Sequence, residues 1–110
     1  MVDDYVMYDL QMLLTRSKNV DWKKSVMTRA NTLMSFFESN PGLLVGVELF
    51  DEHHNLKPDI VIRKSNLTDK GIIFWKKVRT SWEKHLDRGG DAANTEWLEK
   101  KSKKEKIFET

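Results

Sequence analysis

Cysteine is absent from the 110 residues of this chain. Disulfide bonds, thiol nucleophiles and thiolate metal sites are therefore excluded. Glycine and proline are scarce, at five and two residues, and no glycine-rich loop that could cradle a phosphate group occurs. Hydrophobic residues make up 39% of the chain and charged residues 33%. This composition predicts a single soluble domain with one modest core.

Long hydrophobic runs are also missing, since no stretch approaches the roughly 20 apolar residues that a membrane-spanning helix needs. The first nine residues, MVDDYVMYD, are acidic, whereas a secretory signal peptide begins with a basic and then an apolar segment. We therefore expect a cytoplasmic protein. The glycosylation sequon at Asn66-Leu67-Thr68 is better explained as the start of a helix.

Charge is unevenly divided along the chain. Residues 1–60 hold 6 Lys and Arg against 9 Asp and Glu, whereas residues 61–110 hold 13 against 8. This asymmetry indicates either a charged binding face or a lysine-rich terminal helix that keeps the domain hydrated.

The first forty residues predict a pair of helices. Asp3 and Asp4 are suitable caps for a first helix that ends near Ser17, and its apolar residues recur at helical spacing: Val6, Leu10, Leu13 and Leu14. Asp21 is the expected cap of a second helix, which Asn40-Pro41-Gly42 ends. A continuous apolar stripe predicts the buried face of this helix: Trp22, Val26, Ala30, Leu33 and Phe37.

The central region, residues 43–63, predicts a β-hairpin or an extended segment. A polar turn at 51–55 separates two apolar runs, which favours pairing of 45–50 with 59–63. Pro58 cannot donate a backbone hydrogen bond, so a strand here lies at an edge or begins after it. The run at 43–50 contains Gly46 and leaves strand and helix both open.

Two further helices follow, at 68–88 and 94–106. Thr68 is the expected cap of the first, which ends at Gly89-Gly90. Spacing predicts its inward face: Ile72, Trp75, Val78, Trp82 and Leu86. The last helix is rich in lysine, and we expect its end to be frayed. The fold class predicted is mainly α with a short β-hairpin, with about four helices around one core.

The four tryptophans have two interpretations. The seven-residue spacing of Trp75 and Trp82 is typical of core anchors on one helix face. Trp97, beside the terminal lysines, could instead anchor an interface, because tryptophan is enriched in binding hot spots.

Catalytic and metal-binding patterns are weak. His53-His54, with Asp51, Glu52 and the distant His85, matches no zinc spacing, so we interpret these histidines as solvated turn residues. No nucleophile elbow occurs. We expect neither an enzyme nor a bound cofactor or metal.

Acidic residues cluster around the predicted hairpin: Glu48, Asp51, Glu52 and Asp59. Paired carboxylates can perform acid–base chemistry. The interpretation we favour is a negative surface that binds a basic protein partner.

A strand, a turn and a strand followed by Leu67-Thr68-Asp69-Lys70-Gly71 resemble the wing and following helix of winged-helix transcription regulators. The resemblance covers about a quarter of the chain and implies a wing tip at 53–55 and DNA as a partner. Asp51 and Glu52 depart from it, because acidic residues at the wing repel phosphate groups.

The chain also resembles small cytosolic immunity proteins that neutralise bacterial contact-dependent growth-inhibition toxins. The likeness lies in its size, its lack of cysteine, its helical start and the runs VIRKSNLTDKG and LDRGGDAANT. It implies a non-catalytic inhibitor that blocks a nuclease, and no motif transfers individual binding residues. Our hypothesis is a protein-binding module of this kind, with the DNA-binding regulator as the alternative.

Overall fold

The computed structural model describes residues 5–107. Its helices and strands, in chain order, are β1 Val6–Asp9, α1 Leu10–Arg16, α2 Val20–Ser39, β2 Val61–Arg63, α3 Asp69–Ile73, α4 Thr80–Asp87 and α5 Glu96–Lys104. A π-helical segment, Phe74–Arg79, joins α3 to α4, and single 3-10 turns cover Pro41–Leu43 and Lys64–Asn66. The predicted class, mainly α with a short antiparallel β element, is confirmed.

The start of the predicted first helix is instead a strand. β1 runs antiparallel to β2, with Tyr8 opposite Ile62, and Asp9 then caps α1 by accepting a 3.1 Å hydrogen bond from the Met12 amide. The β-branched residues of β2 offer a pairing partner that is distant in sequence, and this pairing outweighs local helical spacing. The predicted caps Asp3 and Asp4 lie outside the described residues.

The predicted hairpin is wrong in its pairing, because β2 pairs with β1 and not with 45–50. The chain does reverse at 51–55, where Phe50 forms an isolated bridge with Leu56. The segment 43–50 is largely irregular. It is fastened at its start by a bridge between Leu44 and Leu67.

Helix α2 begins at Val20, one residue before its predicted cap, Asp21. The Asn19 side chain accepts a 2.7 Å hydrogen bond from the Trp22 amide, so Asn19 and not Asp21 caps the helix. The predicted stripe is confirmed at Ala30, Leu33 and Phe37, which are buried. Trp22 is the exception, because 49% of its surface is exposed.

The helix that begins after Thr68 follows its prediction closely. The Thr68 hydroxyl accepts a 3.1 Å hydrogen bond from the Gly71 amide and caps α3 as expected. The inward face is buried at Trp75, Val78, Trp82 and Leu86, and Ile72 is half-buried. Gly89, at φ +97°, ends α4, and the Gly90 amide donates to the His85 carbonyl at 3.1 Å, which is a Schellman motif.

The lysine-rich end of α5 is closed by backbone hydrogen bonds, where the sequence predicted fraying. Lys106 adopts φ +57°, and the Ile107 amide donates to the Ser102 carbonyl at 3.0 Å, which closes α5 with a second Schellman motif. Ile107 is buried. Its side chain therefore supplies the apolar contact that the run of lysines lacks.

The core is built on aromatic contacts between α2 and the π-helical segment. Phe74 stacks on Phe36 with ring centroids 5.0 Å apart and meets Phe37 edge-on at 5.3 Å. Within residues 5–107, no helix is both long and apolar enough to cross a membrane.

Candidate functional site

The predicted acidic residues lie on the connection between α2 and β2, which we call the acidic loop (residues 44–60). Its start is fixed to the segment before α3. The Val45 amide donates to the Asn66 carbonyl at 2.8 Å, and the Asn66 side-chain amide donates back to the Val45 carbonyl at 3.0 Å. These reciprocal bonds hold a stretch that has no regular secondary structure of its own.

The tip of the acidic loop is a closed turn organised by Asp51. One carboxylate oxygen of Asp51 accepts hydrogen bonds from the amides of His53 and Asn55, both at 2.9 Å. The Asp51 amide donates to the Asn55 carbonyl at 2.9 Å. This side chain therefore shapes the turn as well as contributing charge.

His54 ties the tip to α2. Its imidazole Nε2 lies 2.8 Å from one carboxylate oxygen of Glu38, and its ring stacks on Phe50 with centroids 4.7 Å apart. His53 is exposed, 3.6 Å from the Glu52 carboxylate. The two histidines thus make separate contacts, and no group of three or more metal-ligating side chains occurs within the described part of the chain.

A salt bridge joins the two arms of the acidic loop. Lys57 Nζ lies 2.9 Å from Glu48 Oε2. The hydrogen bond from Lys57, together with its charge, lowers the pKa of Glu48. The hydrogen bond to Glu48 and the negative charges of Glu48, Asp59 and Asp51 raise the pKa of Lys57. Lys57 is therefore the cation around which three of the four predicted site residues gather.

Beside these contacts lies an open pocket of about 380 Å³, which we call the loop pocket. Its lining combines apolar and acidic side chains: Phe37, Glu38, Pro41, Leu44, Val47, Glu48, Leu49, Phe50, Asp51 and His54. Two of the predicted residues, Glu48 and Asp51, line it. Glu52 is exposed at the tip, and Asp59 is exposed beside Lys57 outside the lining.

Sequence reasoning missed two residues of this site. Glu38 reaches it from α2, sixteen residues before His54, and the sequence carries no signal for that contact. The sequence predicts that His54 is a solvated turn residue. Although its side chain is exposed, it stacks on Phe50 and forms a hydrogen bond with Glu38.

The structure also bears on the resemblance to winged-helix regulators. The strand that leads into the helix after Thr68 pairs with β1, so the strand–turn–strand unit of a wing is not formed. Comparison with protein-family models, with curated proteins and with solved structures found no match to this chain.

Proposed function

We propose that this chain is a small non-catalytic module that binds a positively charged segment of another protein through the acidic loop. The observation that carries the proposal is the loop pocket, in which an apolar floor adjoins the carboxylates of Glu38, Glu48 and Asp51. A lysine or arginine side chain has the matching pattern, since its apolar stem ends in a cationic head. The stem packs on Leu44 and Val47 while the head meets the acidic wall.

The restraints on the loop favour this role. Reciprocal hydrogen bonds to Asn66, the Asp51-centred turn and the His54–Glu38 hydrogen bond fix the acidic side of the pocket. A partner therefore loses little free energy in ordering the loop, and preorganisation of this kind strengthens binding. The net negative charge of the loop also speeds encounter with a basic surface.

The partner class that we propose is a basic bacterial toxin domain, such as a nuclease, with the chain acting as its cytoplasmic immunity protein. Two features support this form of the proposal: the resemblance of VIRKSNLTDKG and LDRGGDAANT to immunity proteins, and the complementarity of an acidic loop to a nucleic-acid-binding surface.

Binding is tested with two labelled peptides of equal length, one alternating arginine with leucine and one alternating glutamate with leucine. Amide chemical shifts of the full chain are followed at low and physiological salt. We expect the basic peptide to shift residues 47–55 and the acidic peptide to leave them unchanged. Equal responses to both peptides, or shifts confined to other surfaces, would contradict the proposal.

Variants make this test specific to the loop. Glu48→Gln with Asp51→Asn removes two charges, and the asparagine oxygen can still accept the turn hydrogen bonds. Each exposed charge contributes about 0.2–1 kcal/mol, so we expect the affinity for the basic peptide to fall roughly three- to tenfold. Glu99→Gln, on the exposed face of α5, is the matched control and should bind as the parent does.

Two further experiments distinguish the immunity role from DNA binding. Rescue of cell growth on co-expression with a toxin encoded directly upstream supports the immunity role, and failure of rescue refutes that role while leaving the peptide result standing. If the chain binds duplex DNA with a steep salt dependence and does not bind the basic peptide, the DNA-binding regulator becomes the better explanation.

A further inference from the structure

A second pocket lies between β1, α1, α2 and α4, and it shares no lining residue with the loop pocket. Its volume is about 300 Å³, near the lower limit for small-molecule sites. It is also more enclosed than the loop pocket. We call it the tryptophan pocket, after the two tryptophans among its lining residues.

Aromatic side chains form much of its wall. Trp82 is buried and belongs to the core, whereas Trp22 is half-exposed. Tyr8 lines the pocket from β1, and Leu13, Val26 and Leu33 add aliphatic surface. Flat aromatic surfaces at the side and rim of a partly open pocket suit a planar ring, which packs in offset or edge-on contact with them.

Among the charged residues of the pocket, Arg29 has a hydrogen-bond donor without a partner. Glu83 forms an ion pair with Arg79 one turn before it. Asp87 accepts from Arg29 Nη2 at 3.4 Å, a long contact whose side chains are 30% (Arg29) and 71% (Asp87) exposed. Arg29 Nε is buried and has no hydrogen-bond partner among residues 5–107. Both carboxylates thus have a cation, while the guanidinium keeps an unused donor.

We propose that the tryptophan pocket binds a small aromatic carboxylate. The ligand's carboxylate replaces Asp87 as the partner of Arg29, and its ring lies between Trp22 and Trp82. A carboxylate accepts two parallel hydrogen bonds from a guanidinium, which the single 3.4 Å contact with Asp87 does not provide. The volume limits the ligand to one or two fused rings with a short acidic chain.

Replacing Asp87 by the ligand as the partner of Arg29 costs little free energy, because the Asp87 side chain is exposed. A solvent-exposed ion pair contributes only about 0.2–1 kcal/mol, and the Asp87 carboxylate returns to water when it is displaced. The same reasoning distinguishes ligand classes. A cationic ligand would need Asp87, whereas a carboxylate ligand competes with it.

The full chain, labelled with ¹⁵N, is titrated with phenylacetate, with phenylacetamide and with 2-phenylethylamine, and the indole and guanidinium N–H signals are followed. Trp22→Phe assigns the Trp22 indole. We expect phenylacetate to shift the signals of Trp22, Trp82 and Arg29, and the amide to do so more weakly. The amine should leave them in place. No response to 10 mM phenylacetate, or a stronger response to the amine, overturns the proposal.

Three variants sharpen the result. Arg29→Met should weaken phenylacetate binding at least about tenfold, because a charge-assisted bidentate contact is lost, while Arg16→Met at the exposed end of α1 should not. Asp87→Asn should strengthen binding about two- to fivefold by removing the competing carboxylate. Weaker binding by Asp87→Asn would show that the ligand does not displace Asp87 from Arg29.

A further variant covers the case in which Arg29→Met does not fold. Ser25→Phe fills the pocket from an exposed helix position, and it must then abolish binding.

Discussion

The imidazole Nε2 of His54 lies 2.8 and 2.9 Å from the two carboxylate oxygens of Glu38, which joins the tip of the acidic loop to the last turn of α2. The same ring stacks on Phe50. The backbone of His54 adopts φ +61°, a left-handed conformation that few residues other than glycine occupy. Two side-chain contacts and one unusual backbone angle therefore meet at a single residue, and together they set the shape of the loop pocket.

We expect Glu38→Ala to loosen this turn without unfolding the protein. The side chains of His54 and Glu38 are 70% and 46% exposed, so the free energy of unfolding should fall by less than about 1 kcal/mol. Hydrogen exchange at the His54 and Asn55 amides should nevertheless quicken several-fold, because these amides are bonded only within the turn. Glu52→Ala, which removes a carboxylate 3.6 Å from His53, is the control. Equal exchange rates in the two variants would show that Glu38 does not restrain the loop.

Thr68 joins the start of α3 to the segment that precedes the acidic loop. Its hydroxyl accepts from the Gly71 amide at 3.1 Å and donates to the Gly42 carbonyl at 2.7 Å. Thr68→Val keeps the shape but loses both bonds, so we expect a loss of about 1–2 kcal/mol in the free energy of unfolding. Thr68→Ser keeps the hydroxyl and should lose less than half as much in chemical denaturation. A valine variant as stable as the parent would show that the two hydroxyl bonds do not stabilise the fold.

The sequence predicted those elements whose signals are local. Thr68 and the apolar spacing that follows it specify a helix, and they do so within a few residues of one another. β1 was missed because its partner, β2, lies more than fifty residues away, and the apolar spacing around Leu10 fits a helix equally well. Trp22 continues the apolar stripe of α2. Whether another helix covers it depends on the placement of α4, which the periodicity of the sequence does not predict.

The candidate site was predicted in composition but not in geometry. Four acidic residues close together in the chain are visible in the sequence, and two of them, Glu48 and Asp51, line the loop pocket. The contacts that each of these side chains makes cannot be read from their spacing in the sequence. Lys57 engages Glu48 across the loop. Glu38 enters from another element, and a prediction confined to the loop could not include it.

Gly71 lies against the backbone of Leu43, and we expect Gly71→Ala to be strongly destabilising. A Cβ at this position would lie 2.1 Å from the Leu43 carbonyl oxygen, so α3 or the 3-10 turn must move apart. Overpacking usually costs about 1–3 kcal/mol, and a rigid backbone atom places this variant at the upper end. Gly42→Ala is the matched control, since no atom lies within 4 Å of its added Cβ. Comparable thermal midpoints for the two variants would contradict the close packing.

Tyr8 makes the stability of the fold sensitive to alkaline pH. Its ring meets Trp75 edge-on at 5.9 Å, and burial, with the nearby charge of Glu83, raises the pKa of its hydroxyl from 10.0 to about 12 against the opposing charge of Arg79. Because the folded-state pKa is the higher one, the contribution of Tyr8 is fully present below pH 10. It is lost as the pH rises from 10 to about 12.

Tyr8→Phe should therefore remove part of the alkaline loss of stability. A shift of this size corresponds to a free energy of about 3 kcal/mol, and the variant should retain roughly half of it relative to the parent at pH 11 and most of it by pH 12. Tyr5→Phe, at the exposed residue just before β1, should lose stability at high pH as the parent does. Since the chain has two tyrosines, absorbance at 295 nm in Tyr5→Phe reports Tyr8 alone and should rise near pH 12. A midpoint near pH 10 in that variant would show that the Tyr8 hydroxyl is not shielded from solvent.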